Sequence, residues 1–513
     1  MKSKQLTLLM AVLFFICVGV VPIFWMFLQS FISKGHFSFE NYVLILGTRR
    51  SWLLLFNSLA LSLLTASLSL VLGVALGIVL TKTDLPLKNV FTLFFASALI
   101  IPPYFFSLGW IYLLGKNAGL LSGFWGSLWI MVSTLTPLVL LMTKVYLHSV
   151  NPKLEEAARL QAGWSLVLRK ISLPLIKRGI ILAAILVFIL TLGELGVPML
   201  FRFNVFSVES FSRFSAFYDF NAATASAIPL SLIALFMMMI ERSFFRKESY
   251  DSPRLISERQ ILMIPLKQYR LPWVLGVVLL LSFFVVLPLG SLMLKSLHLK
   301  TFMDTFSRAQ DSLWRSILLA GLTSTVLTAL GFFLGYLVQR KIFRFAFWVD
   351  SLTIFLFALP GTAIGIGLIS LWNRPFTNFI YSSVLILLFG TIAQYAALAS
   401  RLMVPTFSRI PVTMEEAAEM TGASWFRRVF KILIPLASKG MFATWLILFI
   451  FCLKDVGVGM MIHPPGYDTL PIRIFTLMSN SSEATISAMC MMLWGITWIP
   501  FLALTFFFGR RFS

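Results

Sequence analysis

Runs of roughly 20 predominantly apolar residues, each long enough to cross a hydrocarbon core of about 30 Å as a helix, return from one end of this chain to the other. In lipid every backbone N–H and C=O must find its partner inside the segment, so helices are the element these runs can form. The pattern predicts spans near 7–30, 52–80, 90–115, 125–147, 179–200, 223–240, 272–294, 315–338, 347–371, 379–400, 440–461 and 485–508. The expected fold class is an all-α integral membrane protein with about twelve transmembrane helices. A chain with 59% hydrophobic and 12% charged residues is too apolar for an ordinary soluble domain.

The 42 Lys and Arg against 20 Asp and Glu give a formal net charge of +22. They do not point to nucleic acid, which needs the basic residues gathered on one folded face, whereas these lie in short loops. Most fall in alternate loops, and the positive-inside bias then places both termini in the cytoplasm. Lys2 and Lys4 precede a run that exceeds a signal-peptide core and lacks a small-residue cleavage site, so it is expected to stay as the first span. Cys17, Cys452 and Cys490 have no paired spacing, and His36, His148, His298 and His463 are scattered. Neither a disulfide framework nor a metal site is expected.

The stretch Glu241 to Arg270 carries Arg242, Arg246, Lys247, Arg254, Arg259, Lys267 and Arg270 among four acids, too polar to enter a bilayer. On its two sides the punctuation returns at nearly constant offset: Gly73 and Gly77 with Gly331 and Gly335, Pro102 and Gly109 with Pro360 and Gly367, Glu194 and Gly196 with Asp455 and Gly457. This order predicts two tandem six-helix repeats of the same orientation, residues 1–240 and 272–513, joined by a cytoplasmic linker at 241–271. The translocation path is expected between them.

Two long loops carry the most information. The second runs Thr413-Met-Glu-Glu-Ala-Ala-Glu-Met-Thr-Gly422 and on to Pro435; the first runs Leu154-Glu-Glu-Ala-Ala-Arg159 and on to Pro174. Thr413 and Glu416 have capping-box spacing, predicting a short helix that starts at Thr413 and is stopped by Gly422 in the left-handed conformation. Ser424 is placed to cap a second short helix from Trp425 to about Ile432, with Pro435 punctuating its end. The expectation is a helix–turn–helix on the membrane surface.

These segments resemble the EAA loops of permease subunits in ATP-binding-cassette importers. The second loop matches at Glu416, Ala417, Ala418, Gly422, Ile432 and Pro435, with Glu415 beside them and Ile434 in place of the family's Leu. The first matches at Glu156, Ala157, Ala158, Ile171, Leu173 and Pro174, with Glu155 beside them in the loop, but is one residue shorter, with Gln161 where the second has Gly422 and Gly163 as a displaced turn residue. The resemblance implies that each loop docks a cytoplasmic ATPase, two copies in all, and that an extracytoplasmic solute-binding protein delivers the cargo. It also implies a bacterial inner-membrane location. No Gly-x-x-x-x-Gly-Lys-Ser/Thr phosphate loop occurs, so this chain is expected to be no enzyme, with ATP and Mg bound by the partner.

The fused arrangement is similar to the ferric-iron permeases, with thiamine, phosphonate and polyamine systems as alternative cargoes. Gly193-Glu-Leu-Gly-Val-Pro198 and Lys454-Asp-Val-Gly-Val458 belong to that likeness. Glu194 and Asp455 lie toward the outer ends of equivalent helices, where a carboxylate is expensive unless it meets water or a partner. They either line the path between the halves, as oxygen ligands suited to a hard cation, or reach interfacial water beside Lys454. The rival class is an ion-coupled secondary transporter, which also uses twelve helices in two halves. The loop Lys82-Thr-Asp-Leu-Pro-Leu-Lys88 lacks the signature of the largest such family.

Overall fold

A computed structural model describes residues 2–33, 36–215, 220–245 and 262–508. Helices and their connecting turns make up the described chain, with one small antiparallel pairing of Ile32–Ser33 with His36–Phe37 and an isolated bridge from Thr83 to Ile264. Ten helices are long and apolar enough to cross a membrane, rising to twelve if each of two bent pairs is one span. The expected spans at 90–115 and 347–371 are those bent pairs. Lys88–Ile100 meets Pro103–Leu121 at 101°, and Ala346–Ala358 meets Gly361–Trp372 at 108°. Pro102-Pro103 and Pro360-Gly361 mark the breaks, because proline removes an N–H and crowds the preceding turn.

Packing in the two halves runs in parallel. The helix Arg49–Lys82 lies against Phe124–Ser149 through Gly73 and Gly77, where an added Cβ would strike Val139 and Thr143. The helix Leu299–Arg340 lies against Val384–Ser408 through Gly331 and Gly335, which face Ala399 and Met403 in the same way. Small residues permit this close backbone approach where lipid supplies no hydrophobic drive between helices. Ser58 Oγ accepts from the Phe206 N–H at 2.9 Å, and Ser316 Oγ accepts from the Leu470 N–H at 2.7 Å.

The first helix of each half crosses to the other. Pro22 packs on Gly367 of the second bent pair, and Pro288 packs on Gly109 of the first, where Ser291 Oγ donates to the Gly109 carbonyl at 2.6 Å. Wide π turns at Ile16–Val20, Leu168–Ser172, Ser282–Val286 and Val429–Leu433 each precede a proline by one residue: Pro22, Pro174, Pro288 and Pro435. Widening the turn accommodates the missing N–H without ending the helix.

Of the expected 241–271 linker, residues 246–261, with Arg246, Lys247, Arg254 and Arg259, lie outside the described residues. The preceding helix runs to Phe245, and the linker's far end is tied to the first half. The Ile264 N–H donates to the Lys82 carbonyl at 2.6 Å, and the Leu266 N–H donates to Asp84 Oδ1 at 2.9 Å.

Candidate functional site

Both expected loops form helical hairpins, and each is pinned from beneath by a buried carboxylate. In the first, Asn151 caps a helix over Pro152–Arg159. Glu155 on its inner face is 0% exposed, accepting from Lys82 Nζ at 2.5 Å and from Ser172 Oγ at 2.7 Å. In the second, the helix Val412–Met420 places Glu415, 5% exposed, against Arg340 at 2.7 Å and Tyr336 Oη at 2.6 Å. Lys82 and Arg340 are the last residues of the long helices Arg49–Lys82 and Leu299–Arg340. A hairpin and the long helix beneath it therefore share a charged joint, with the desolvation of both ions offset by added hydrogen bonds.

The next residues face the other way. Glu156 and Ala157, and likewise Glu416 and Ala417, are exposed, with Ala158 and Ala418 half-buried. This surface belongs to the same end of the molecule as the N-terminus: Lys4 Nζ stands 5.0 Å from the Tyr336 ring and 5.3 Å from that of Trp425.

Several local expectations are corrected. The helix at 412–420 starts at Val412 behind Pro411, with no side-chain cap, so Thr413 and Glu416 form no capping box. Proline's fixed φ and missing N–H suit a helix start and bring it forward. Gly422 has a φ of +77° and does reverse the chain, and Ser424 caps the following helix by accepting from the Arg427 N–H. That helix is not a separate short one. It continues through the π turn holding Ile432, past Pro435, as one run from Trp425 to Leu453, and Ile171 and Pro174 lie alike in a run from Trp164 to Leu192. Gly163 has φ −71° and ψ 161°, extended backbone at the start of a helix, so it is not a left-handed turn residue. Arg159 closes that turn instead, donating to the Ala162 carbonyl at 2.8 Å and lying 4.7 Å from the Trp164 ring. In the second hairpin the closing contact is Arg428 to Glu419 at 2.6 Å. This guanidinium holds the exposed Glu419 carboxyl below the usual carboxylate range.

Lys82, Arg340 and Tyr336 were not among the expected site residues. The signal for the two cations is present in the sequence: Lys82 and Arg340 stand at the same offset as the paired glycines.

Glu194 and Asp455 occupy matching places at a seam between the halves. Each follows the end of a long helix, at Leu192 and Leu453, and each caps a short helix. Glu194 Oε1 accepts from the Gly196 N–H at 3.0 Å, and Asp455 Oδ2 from the Gly459 N–H at 3.2 Å. Tyr395 Oη donates to Asp455 Oδ1 at 2.9 Å. Across the seam, Gly193 lies against Pro360, Tyr104 Oη donates to the Pro471 carbonyl at 3.0 Å, and Lys454 Nζ donates to the Leu99 carbonyl at 2.5 Å. Glu194, Lys454 and Asp455 are all half-buried. Among the described residues no three His, Cys, Asp or Glu side chains gather as a metal site.

Membrane-crossing helices around a polar seam, with two surface hairpins jointed to the longest of them, define a multi-pass membrane protein. Residues 327–512 match the family model described as binding-protein-dependent transport system inner membrane component. The chain is similar to the ferric transport system permease protein FbpB of Actinobacillus pleuropneumoniae, at 22% identity over 88% of this chain and 70% of that protein. It is similar at 23% to the putative ferric transport system permease protein FbpB 1 of Haemophilus influenzae, over 92% and 79%. The spermidine/putrescine transport system permease protein PotC of Escherichia coli matches at 25% over 35% of this chain and 66% of that protein. Over most of its length the chain is thus similar to permease proteins of ferric transport systems, and its residues 327–512 match a membrane component of binding-protein-dependent transport.

Proposed function

We propose that the chain folds as two tandem repeats whose seam carries ferric iron inward, powered by an ATPase that docks on both hairpins. The observation that carries this reading is the pair of joints Glu155–Lys82 and Glu415–Arg340. Each leaves Glu156–Ala157 or Glu416–Ala417 open for a partner while tying the hairpin to a helix that crosses the membrane. A push on the hairpin reaches the helix through a short, charge-assisted contact rather than a flexible loop.

The hairpins and both termini then face the cytoplasm, with two ATPase copies binding ATP and Mg. A solute-binding protein meets the opposite face. Ferric iron is favoured over polyamines because the relatives named for ferric transport cover most of the chain, and carboxylate oxygens suit a hard cation. Glu194 and Asp455 are the oxygen ligands placed on the path.

The test is uptake of radiolabelled ferric iron into proteoliposomes holding the permease, its ATPase and its binding protein. The reading expects Glu194→Gln with Asp455→Asn to lower uptake at least about tenfold, the scale of one lost charged interaction. Unchanged uptake removes those residues from the path. A binding protein that retains spermidine rather than iron removes the cargo.

A further inference from the structure

The hydrogen bond from Lys454 to Leu99 has a cause in the sequence. Leu99 precedes Pro102 and Pro103, the residues whose N–H groups a helix would offer to its carbonyl, and proline has none. Lys454, from the other half, supplies the missing donor at 2.5 Å, with its ammonium 4.5 Å from the Phe451 ring. The second half meets the same need differently. The Phe357 carbonyl, three residues before Pro360, accepts from Gln394 Nε2 at 3.5 Å, a neutral donor of its own half. At the position matching Lys454 the first half has Gly193, packed against Pro360 with a Cβ position only 3.3 Å from its Cα. One side of the seam thus carries a cation where the other has no side chain.

Asp455 adjoins this lysine, and Glu194 interacts with it electrostatically. Two half-buried carboxylates in a seam across a membrane attract any small cation, including protons, and a bilayer that holds an ion gradient cannot tolerate that at rest. From the crossing hydrogen bond, the lysine and the two acids, we infer that Lys454 is the seal of the resting permease: a tethered counter-charge that excludes monovalent cations from the seam until the halves part. Opening the seam breaks the Leu99 contact and leaves the lysine with Asp455 and Glu194 as its partners. The inference rests on reading the seam as the path.

The test uses the complete importer in proteoliposomes without cargo or nucleotide, with potassium, proton and chloride fluxes read by entrapped dyes. Lys454→Met, which keeps the packing over Phe451, and Lys454→Gln, which keeps a donor without the charge, are expected to raise potassium and proton leak at least about tenfold, because a fixed charge at close range in a low-dielectric seam is the barrier. Lys454→Arg stays tight. A tight Lys454→Gln variant, or equal rises for chloride and cations, overturns the seal. If the lysine variants do not assemble, Glu194→Gln with Asp455→Asn decides: an unopposed lysine raises chloride leak and not potassium leak, and no chloride rise overturns the proposal. The same double variant separately reads iron uptake, so the path reading can fail while the leak result stands.

Discussion

Glu155 and Glu415 each lie one residue before the Glu-Ala-Ala run, and that one-residue step, about 100° around a helix, separates a buried joint from an exposed face. The sequence makes the motif legible but not which glutamate turns inward. That depends on the cation waiting at the end of a helix some seventy residues earlier. Because Lys82 and Glu155 are both almost fully buried, removing one partner strands a charge. Lys82→Met is expected to cost about 3–5 kcal/mol of stability, and Lys82→Met with Glu155→Leu to recover most of it, read from thermal unfolding of the purified permease. Glu419 answers to pH in the opposite surroundings. Its carboxyl is held down by Arg428, so its contribution to closing the second hairpin is present above the unfolded carboxylate pKa of about 4.3 and is lost as pH falls through the lower folded value. Hydrogen-exchange protection factors across 419–428, corrected for the intrinsic pH dependence of amide exchange, should fall in acid, and Glu419→Gln should abolish that dependence; an unaltered pH profile in this variant counts against the pairing.

Whether an apolar run stays straight or breaks is written least plainly in the residues themselves. Apolar runs located the membrane elements, but a run of twenty apolar residues looks the same whether its helix is straight or bent by 101°. Proline is equally ambiguous. Pro102 and Pro360 mark sharp bends, whereas Pro174 and Pro435 sit inside continuing helices because a π turn comes first. Glycine divides too. Gly422, at φ +77°, is in a conformation that costs other residues about 1–2 kcal/mol, while Gly163 is in one open to any residue. Gly422→Val should therefore reduce ATPase stimulation and uptake with insertion intact, and Gly163→Ala should leave both near wild type. Equal loss in both variants would show that the two turns carry the same constraint.

Across the whole molecule, constant offsets between glycines, prolines and acids suggest two repeats, whereas the crossing of Val21–Ser30 and Leu287–Ser296 onto the opposite bent pairs leaves no periodic trace. Crossing depends on which glycine faces which helix, and spacing within one helix does not say that. Because Pro22 packs on Gly367 and Pro288 on Gly109, the halves hold each other by contacts remote from the linker. Severing the chain between Phe245 and Leu262 and co-expressing the pieces should return a complex that co-purifies and transports, while either piece alone should be degraded. Recovery of stable single pieces would refute reciprocal dependence. The same crossing constrains biogenesis. The first helix leaves the ribosome with its permanent neighbour unmade, and at roughly 5–20 residues per second it waits tens of seconds until residue 367 emerges. During that interval its small and apolar face has only lipid or an insertase to shelter it. Slow translation late in the message thus bears on whether the first helix is assembled or lost.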